Sequence, residues 1–249
     1  VLTSISRDRG VHGIILQKPL PEYLNFNEAV SYIDVNKDVD GLNPVNVGLL
    51  YAFSAAHPAA FKRMISSTGG YPLSLQSNQK NSDDHDDAAV VHFESDENTT
   101  TSSSSEDGNN TKKYLHCEPP KHIPCTALAV LRTLQIYNIP LQNQFVTVVG
   151  TSSIAGRPIA ELLSAMGAIV TVCHTRSGDQ LVDSLKQSDI VVTACGDPHF
   201  FNDPNHFKDG VKIIDVGLKS LEHPNPERRA LGKRKLVGDV DFEKVCLEK

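Results

Sequence analysis

The stretch FVTVVGTSSIAGRPIAELLSAMGAIVTVC (145–173) decides the fold. FVTVV (145–149) is a continuous apolar and β-branched run ended by Gly150, which suits a strand covered on both faces. RPIAELLSAMG (157–167) has apolar residues at helical spacing and closes on Gly167. IVTVC (169–173) repeats the first pattern. Outward from this unit the alternation continues. SGDQLVDSLKQS (177–188) predicts a helix, IVVTAC (190–195) a third strand, KIIDVG (212–217) a fourth and KLVGDV (235–240) a fifth. Such runs alternating with helices specify a doubly wound α/β sheet of parallel strands.

Upstream, TALAVLRTLQIYN (126–138) reads as a helix with Thr126 as its cap and Pro140 beyond its end. GIILQ (13–17) suits a buried strand stopped by Pro19 and Pro21, and NEAVSYI (27–33) a helix capped by Asn25 or Asn27. A tight acidic turn, KDVDG (37–41), precedes a helix from 44 to about 57.

The chain has 249 residues, 39% hydrophobic, enough for one large domain or two ordinary ones. It has no run of about 18 apolar residues, so no membrane-spanning helix is expected. VLTSISRDRG at the start lacks a basic segment followed by an apolar core, so no signal peptide is expected. The five cysteines are scattered without C-x-x-C or ligand spacing, which points to reduced thiols and no metal site. The formal charge of −6 is not evenly spread. Residues 78–111 hold nine acids against Lys80, a net of −8, so the remainder carries +2. This Ser-, Asn- and Asp-rich segment has Phe93 as its only aromatic and is expected to be disordered. An acidic tail or a phosphorylated run at Ser102 to Ser105 is the alternative. Two glycosylation sequons, at Asn98 and Asn109, are idle without a secretory signal. No basic patch with interleaved aromatics appears, so no nucleic-acid partner is expected.

Chemistry concentrates at the strand ends. VTVVGTSSIAGRP (146–158) is a strand, a loop with two glycines and a helix start, where backbone N–H groups and the helix dipole can hold a phosphate. The spacing is Gly150-x5-Gly156 rather than G-x-G-x-x-G, and an ordinary βα turn is the alternative. His174, Thr175 and Arg176 follow the second strand, where the adenosine ribose of a dinucleotide would lie. Thr175 and Arg176 suit a 2′-phosphate, although Arg176 alone reads equally as a solvated charge. Cys195 and Gly196 end the third strand, where a bound nicotinamide would be approached from the switch-point side, although a strand-end glycine is common in any turn. Asp215 and Asp239 end later strands and read equally as caps or turn residues. Gln17 ends an apolar run, where a polar side chain suggests a site, and Asp40 in its turn could receive amino groups of a heterocycle; taken singly, each reads more readily as an ordinary strand-end polar residue or turn aspartate.

LQKPLP (16–21), KDVDGLNPVNVG (37–48), PCT (124–126), GTSSIAGRP (150–158), CHTRS (173–177), IIDVG (213–217) and KLVGDVDF (235–242) occur in that order. Together they resemble the methylenetetrahydrofolate dehydrogenase/methenyltetrahydrofolate cyclohydrolase family, over all of the chain except about 66–116. The resemblance implies oxidation of 5,10-methylenetetrahydrofolate with NADP, or NAD, and hydrolysis of the methenyl product to 10-formyltetrahydrofolate. It implies a Rossmann-like domain at 141–249 and part of a smaller α/β folate-binding catalytic domain at 1–65. A linking helix at 117–140 would belong to the latter, with an acidic insert at 66–116. It assigns Gln17 to catalysis and Asp40, Pro19 and Leu20 to the folate. It assigns Gly150, Thr151, Ser152, Ser153, Ile154, Gly156, His174, Thr175, Arg176, Cys195 and Gly196 to the cofactor. A homodimer through the cofactor domain, in the cytosol or a mitochondrion, is the corresponding expectation.

The chain departs from that family in four places. No Tyr-x-x-x-Lys, the family's cyclohydrolase lysine motif, occurs in it. Loss of such a group typically costs about 10²–10⁴-fold. The family's Pro- and Gly-rich loop and last helix do not follow GDVDFEKVCLEK. These two points lead to the expectation of a partial chain, and keep open a dehydrogenase-only member or a non-catalytic cofactor-binding or subunit-pairing protein. The loop arginine after the first glycine is Thr151, a loss of roughly 1.5–3 kcal/mol toward a 2′-phosphate unless Arg176 compensates. Ala127 replaces the proline that usually follows PCT. The insert itself is tolerable, since lengthening a loop from about 10 to about 45 residues adds only roughly 1.3 kcal/mol of closure entropy.

Overall fold

A computed structural model describes residues 1–67 and 117–247. Beyond Ser67, the acidic insert lies outside the described residues, and so do both sequons and the serine run.

The first part of the chain is helical. α1 (Leu2–Arg7) is short, and its buried Ser6 donates to Tyr32 O and accepts from the Asp34 N–H. α2 (Phe26–Ser31) starts where Asn25 accepts from the N–H groups of Asn27 and Glu28. α3 (Pro44–Ala56) starts where Asn43 accepts from Val45 N, with Pro44 in the first position that needs no donor. α4 (Pro58–Ser67) follows after a one-residue break. GIILQ does not form the expected strand. Ile14 makes a single parallel bridge to Asp38, and Ile15 is 61% exposed. No further strand lies beside it among the described residues to extend the ladder.

α5 (Cys125–Ile136) begins one residue before the expected cap. Thr126 therefore lies inside the helix. Pro124 takes the N-cap position, and the Cys125 N–H is satisfied instead by Asp40 O at 3.2 Å.

The alternating region forms β1 (Phe145–Val149), α6 (Gly156–Ala165), β2 (Ile169–Cys173), α7 (Asp179–Gln187), β3 (Ile190–Thr193) and β4 (Lys212–Asp215). The four strands are all parallel, in the order β2-β1-β3-β4. Period-two alternation divides the core between the two faces. Val146, Val148, Ile190 and Val192 pack with α3, α4, α5 and α6 through Leu50, Phe61, Leu131, Leu134, Ile159 and Leu162. Val149 and Val191 pack on the other face with Leu181, Leu185, Phe201 and Phe207. The sheet is thus doubly wound, and one continuous core joins α3–α5 to β1 and α6.

The expected fifth strand does not join this sheet. β5 (Lys219–Glu222) and β6 (Arg234–Val237) form a separate antiparallel ribbon around the short α8 (Pro226–Ala230). The physical reason lies just past β6. Asp215, at the end of β4, accepts the N–H groups of Asp239 and Val240 and draws the chain across the strand end instead of alongside it. α9 (Phe242–Leu247) then closes the described chain, with Val245 buried.

Two predictions follow from this packing. A Cβ at Gly217 would lie 2.0 Å from Asp239 Cγ, whereas one at Gly48, inside α3, meets nothing within 4 Å. Gly217→Ala is expected to lower the urea midpoint by the equivalent of about 1–3 kcal/mol or more. Gly48→Ala should raise it by about 0.5–1 kcal/mol. Asp189 is held below the ordinary carboxylate value by Lys208 and by the Phe145 N–H. A carboxylate whose folded value is depressed stabilises above its unfolded value, and that stability is lost as pH falls through the folded one. Asp189→Asn should therefore flatten the acid limb of a stability–pH curve below about pH 4.

Candidate functional site

The parallel order changes direction between β1 and β3, because β2 lies on one side of β1 and β3 on the other. Such a switch point opens a crevice at the carboxyl ends of the strands. Gly150 sits there at φ 138°, and a Cβ on it would come 2.4 Å from Ala194 O. A Cβ on Gly156 would come 2.0 Å from Gly150 O. Only glycines allow the loop to close this tightly on the helix it feeds. Ser152 ties the turn together, its carbonyl accepting from Arg157 N and its hydroxyl from Ala155 N. The N-terminal end of α6 then faces the crevice, where the positive end of its dipole favours an anion.

The other strand ends are held around this loop. Gly150 N donates to Cys173 O at 2.9 Å, which joins the loop to the end of β2. His174 caps a single 3-10 turn, Thr175–Ser177, with Ser177 Oγ 3.2 Å from both the His174 N–H and Nδ1. At the end of β3, the N–H groups of Cys195 and Gly196 both donate to Asp239 Oδ2, at 2.8 and 3.2 Å. Burial pushes the Cys195 thiol up to about 12, so it stays protonated at neutral pH. Gly196 borders open space.

Asp215 and Asp239 turn out to be cross-links rather than caps. Asp215 Oδ1 accepts from Thr193 Oγ1, Gly217 N and Asp239 N, while buried Asp239 holds the loop after β3. Gly217 backs onto Asp239 and Gly238 onto Asp215, so each carboxylate occupies the space beside the other's glycine. The reciprocal Asp-x-Gly and Gly-Asp spacing was the only sequence signal for this pair.

In the acidic turn 37–41, Asp38 rather than Asp40 does the structural work. It is buried and accepts from Asn43 N and Asn46 Nδ2. Asp40 is left to Cys125, and its carboxyl is raised above the usual range by burial and then by the neighbouring Asp38. Cys125 Sγ donates to Val39 O at 3.2 Å, and Gly41 packs on the Ile123–Pro124 backbone, so the PCT segment clamps the acidic turn. The parallel Ile14–Asp38 bridge runs the chain toward Gln17 alongside the chain toward Asp40. Gln17 and Pro19 are exposed and Leu20 is half-buried. Gln17 reaches only Lys18 O, at 3.4 Å.

Two cavities flank the loop. One, of about 320 Å³, lies between α2, α3 and the loop and is lined by Phe26, Leu42, Val47, Tyr51, Ser153 and Ile154, among others. Ser153 Oγ donates to Asn27 Oδ1 across it. The other, of about 480 Å³, is lined by Thr151, Arg157, Val170 and Val172 with Tyr51, Glu161 and Ser164. Thr151, Ser153 and Ile154 thus meet at these cavities. Gln17, Pro19, Leu20, Asp40, His174, Thr175, Arg176, Cys195 and Gly196 line neither. Tyr51 escaped the sequence reading, because a helix-face tyrosine carries no motif, and Arg157 was read there only as part of GTSSIAGRP and the start of a helix. Among the described residues, no group of three or more His, Cys, Asp or Glu could hold a metal, and no helix is long and apolar enough to cross a membrane.

Comparison with known proteins agrees with this geometry. "Bifunctional protein FolD" of Orientia tsutsugamushi is 30% identical over 98% of this chain and 58% of its own length. A crystal structure of the bifunctional FolD methylenetetrahydrofolate dehydrogenase/cyclohydrolase from Campylobacter jejuni superposes with a TM-score of 0.63 at 29% identity, over 98% of this chain and 60% of that one. The Trypanosoma brucei enzyme, solved with NADP cofactor and inhibitor, gives 0.65 at 26% identity over the same shares. The chain therefore spans about 58–60% of the length of these relatives. Residues 124–248, half of the chain, match the family described as tetrahydrofolate dehydrogenase/cyclohydrolase, NAD(P)-binding domain. With its doubly wound sheet and its Gly150–Gly156 loop at the switch point, this chain belongs to the tetrahydrofolate dehydrogenase/cyclohydrolase family.

Proposed function

We propose that the protein oxidises 5,10-methylenetetrahydrofolate to the methenyl form with NADP, NAD being the alternative acceptor, and that hydrolysis to 10-formyltetrahydrofolate belongs to the same cleft. The observation that carries the reading is the Gly150–Gly156 loop at the switch point, facing α2 and α3 across the 320 Å³ cavity. A dinucleotide fits a loop whose glycines bring backbone N–H groups to the end of β1.

When bound, the nicotinamide supplies the hydride acceptor. The chain's own residues bind and orient. Gly150 through Ile154 and Gly156 hold the phosphates, and His174, Thr175 and Arg176 border the ribose. Cys195 and Gly196, pinned by Asp239, leave room on the nicotinamide side. Asp40 receives the amino groups of the pterin, Gln17 reaches the one-carbon bridge, and Pro19 and Leu20 shape the pterin's edge. Bringing donor carbon and acceptor ring into attack geometry is the main contribution of such a cleft.

Dehydrogenation without cyclohydrolysis is the second reading. Lys37, the lysine nearest Asp40, is not free to move a proton, since Nζ is engaged by Ser6 O and Asp8 O at 2.6 and 2.7 Å. We further propose a homodimer through the dinucleotide domain, supported by the edge strand β2 with Ile169 and Val172 about half exposed. The five free thiols suit the cytosol or the mitochondrial matrix.

Purified protein is expected to form methenyltetrahydrofolate, read by absorbance, with NADP+ or NAD+. No turnover with either, alongside measurable dinucleotide binding, would leave a cofactor-binding subunit in place of an enzyme. Asp40→Ala should weaken folate binding by about 10-fold or more, with dinucleotide affinity unchanged. An ionised Asp40 binds best, so folate affinity should fall as pH drops through a value above the ordinary 3.8. Asp40→Asn should abolish that limb of the pH profile.

A further inference from the structure

We propose that Arg157 selects a phosphorylated dinucleotide over its unphosphorylated counterpart by holding the phosphate on the adenosine ribose. This rests on the dinucleotide reading above and adds a residue to it.

Arg157 lies in the first turn of α6, and its exposed side chain is tied back to the loop. Nε donates to Thr151 O at 3.2 Å, and its backbone N–H donates to Ser152 O at 3.1 Å. Among the described residues, the two terminal nitrogens of the guanidinium make no hydrogen bond and no ion pair. The nearest acid on the helix is Glu161, one turn on, and its carboxylate accepts the Ser54 hydroxyl at 2.5 Å. The open fork therefore borders the 480 Å³ cavity without a partner.

The place of that cavity indicates which phosphate is meant. Its walls include Thr151 on the loop after β1 and Val170 and Val172 on β2. Gly150 N bonds Cys173 O, so the loop and the end of β2 are one rigid corner. In a doubly wound sheet, the ribose of a dinucleotide lies beyond this second strand. A guanidinium offers phosphate two parallel N–H donors in one plane, and the Nε bond fixes that plane in advance. The Thr151 hydroxyl adds a donor beside it. Glu161 and Tyr51 line the same cavity, and the Glu161 charge disfavours an anion beside it, which leaves the Thr151 side as the place for one. Arg176, the basic residue that sequence suggested for this task, is exposed as Arg157 is, but lines neither cavity.

Fluorescence titration of the full chain with NADPH and with NADH tests the assignment in wild type, Arg157→Gln, Arg157→Lys and Arg176→Gln, with thermal melts to establish that each is folded. Arg157→Gln should weaken NADPH about 10-fold or more while changing NADH less than about 2-fold. Arg157→Lys, a point charge without the fork, should fall between. Equal losses for both nucleotides would mean that the fork holds the bridging diphosphate, and would overturn the proposal. Unchanged affinities, or a selective loss in Arg176→Gln in its place, would overturn it as well. Failure of wild-type protein to bind either nucleotide would instead remove the dinucleotide reading itself.

Discussion

At the end of β1 the backbone makes its closest approaches, and the rest of the molecule is arranged around them. Gly150 passes within reach of Ala194 O, and Gly156 passes over Gly150 O, at separations that a side chain would close completely. Because the loop is that tight, α6 starts directly over the switch point. Because α6 is fixed there, its Ile159 and Leu162 meet α5 and Leu50 of α3. The packing of α3 and α5 against α6 thus depends on two positions that carry no Cβ.

The two carboxylates beyond the sheet solve a second problem. Short parallel strands leave the loops at their carboxyl ends without ladder partners, and those loops must still be held in one shape. Asp215 accepts from the end of β3, from its own turn and from the chain after β6. Asp239 accepts from the loop after β3. Hydrogen bonds to a charged acceptor are each worth about 1.5–3 kcal/mol, and more in a site that excludes water. The same pair explains why the ribbon of β5 and β6 leaves the main sheet, since the carboxylates take up the backbone donors just past β6.

Between α3 and α6 the molecule keeps space open instead of filling it. Tyr51 stands at the junction of the two cavities, and burial, reinforced by Glu161, raises its phenol above the ordinary value. Two spaces of about 320 and 480 Å³ on either side of the Gly150–Gly156 loop agree with the proposed pairing of a folate with a dinucleotide. That arrangement connects the shared core to the proposed chemistry.

The sheet, its helices and the tight Gly150–Gly156 loop between them were legible in the sequence, because their signals are local. β-branched runs, helical spacing and Gly150-x5-Gly156 are each read within one element and its neighbour. GIILQ misled because a buried strand needs partners, and an apolar run does not show whether they are present. KLVGDV misled because its direction is set by Asp215, some twenty residues earlier. The acids after β4 and β6 looked like turn residues, since nothing local distinguishes a cap from a cross-link between distant loops. Sequence by itself determined the family and the doubly wound sheet, because periodicity and motif order survive without coordinates. Only the tertiary structure decided that Asp38 is structural while Asp40 is spared, that Arg157 rather than Arg176 borders a cavity, and that Asp239 holds the third strand end. Each of these depends on contacts between residues that the chain separates and packing brings together.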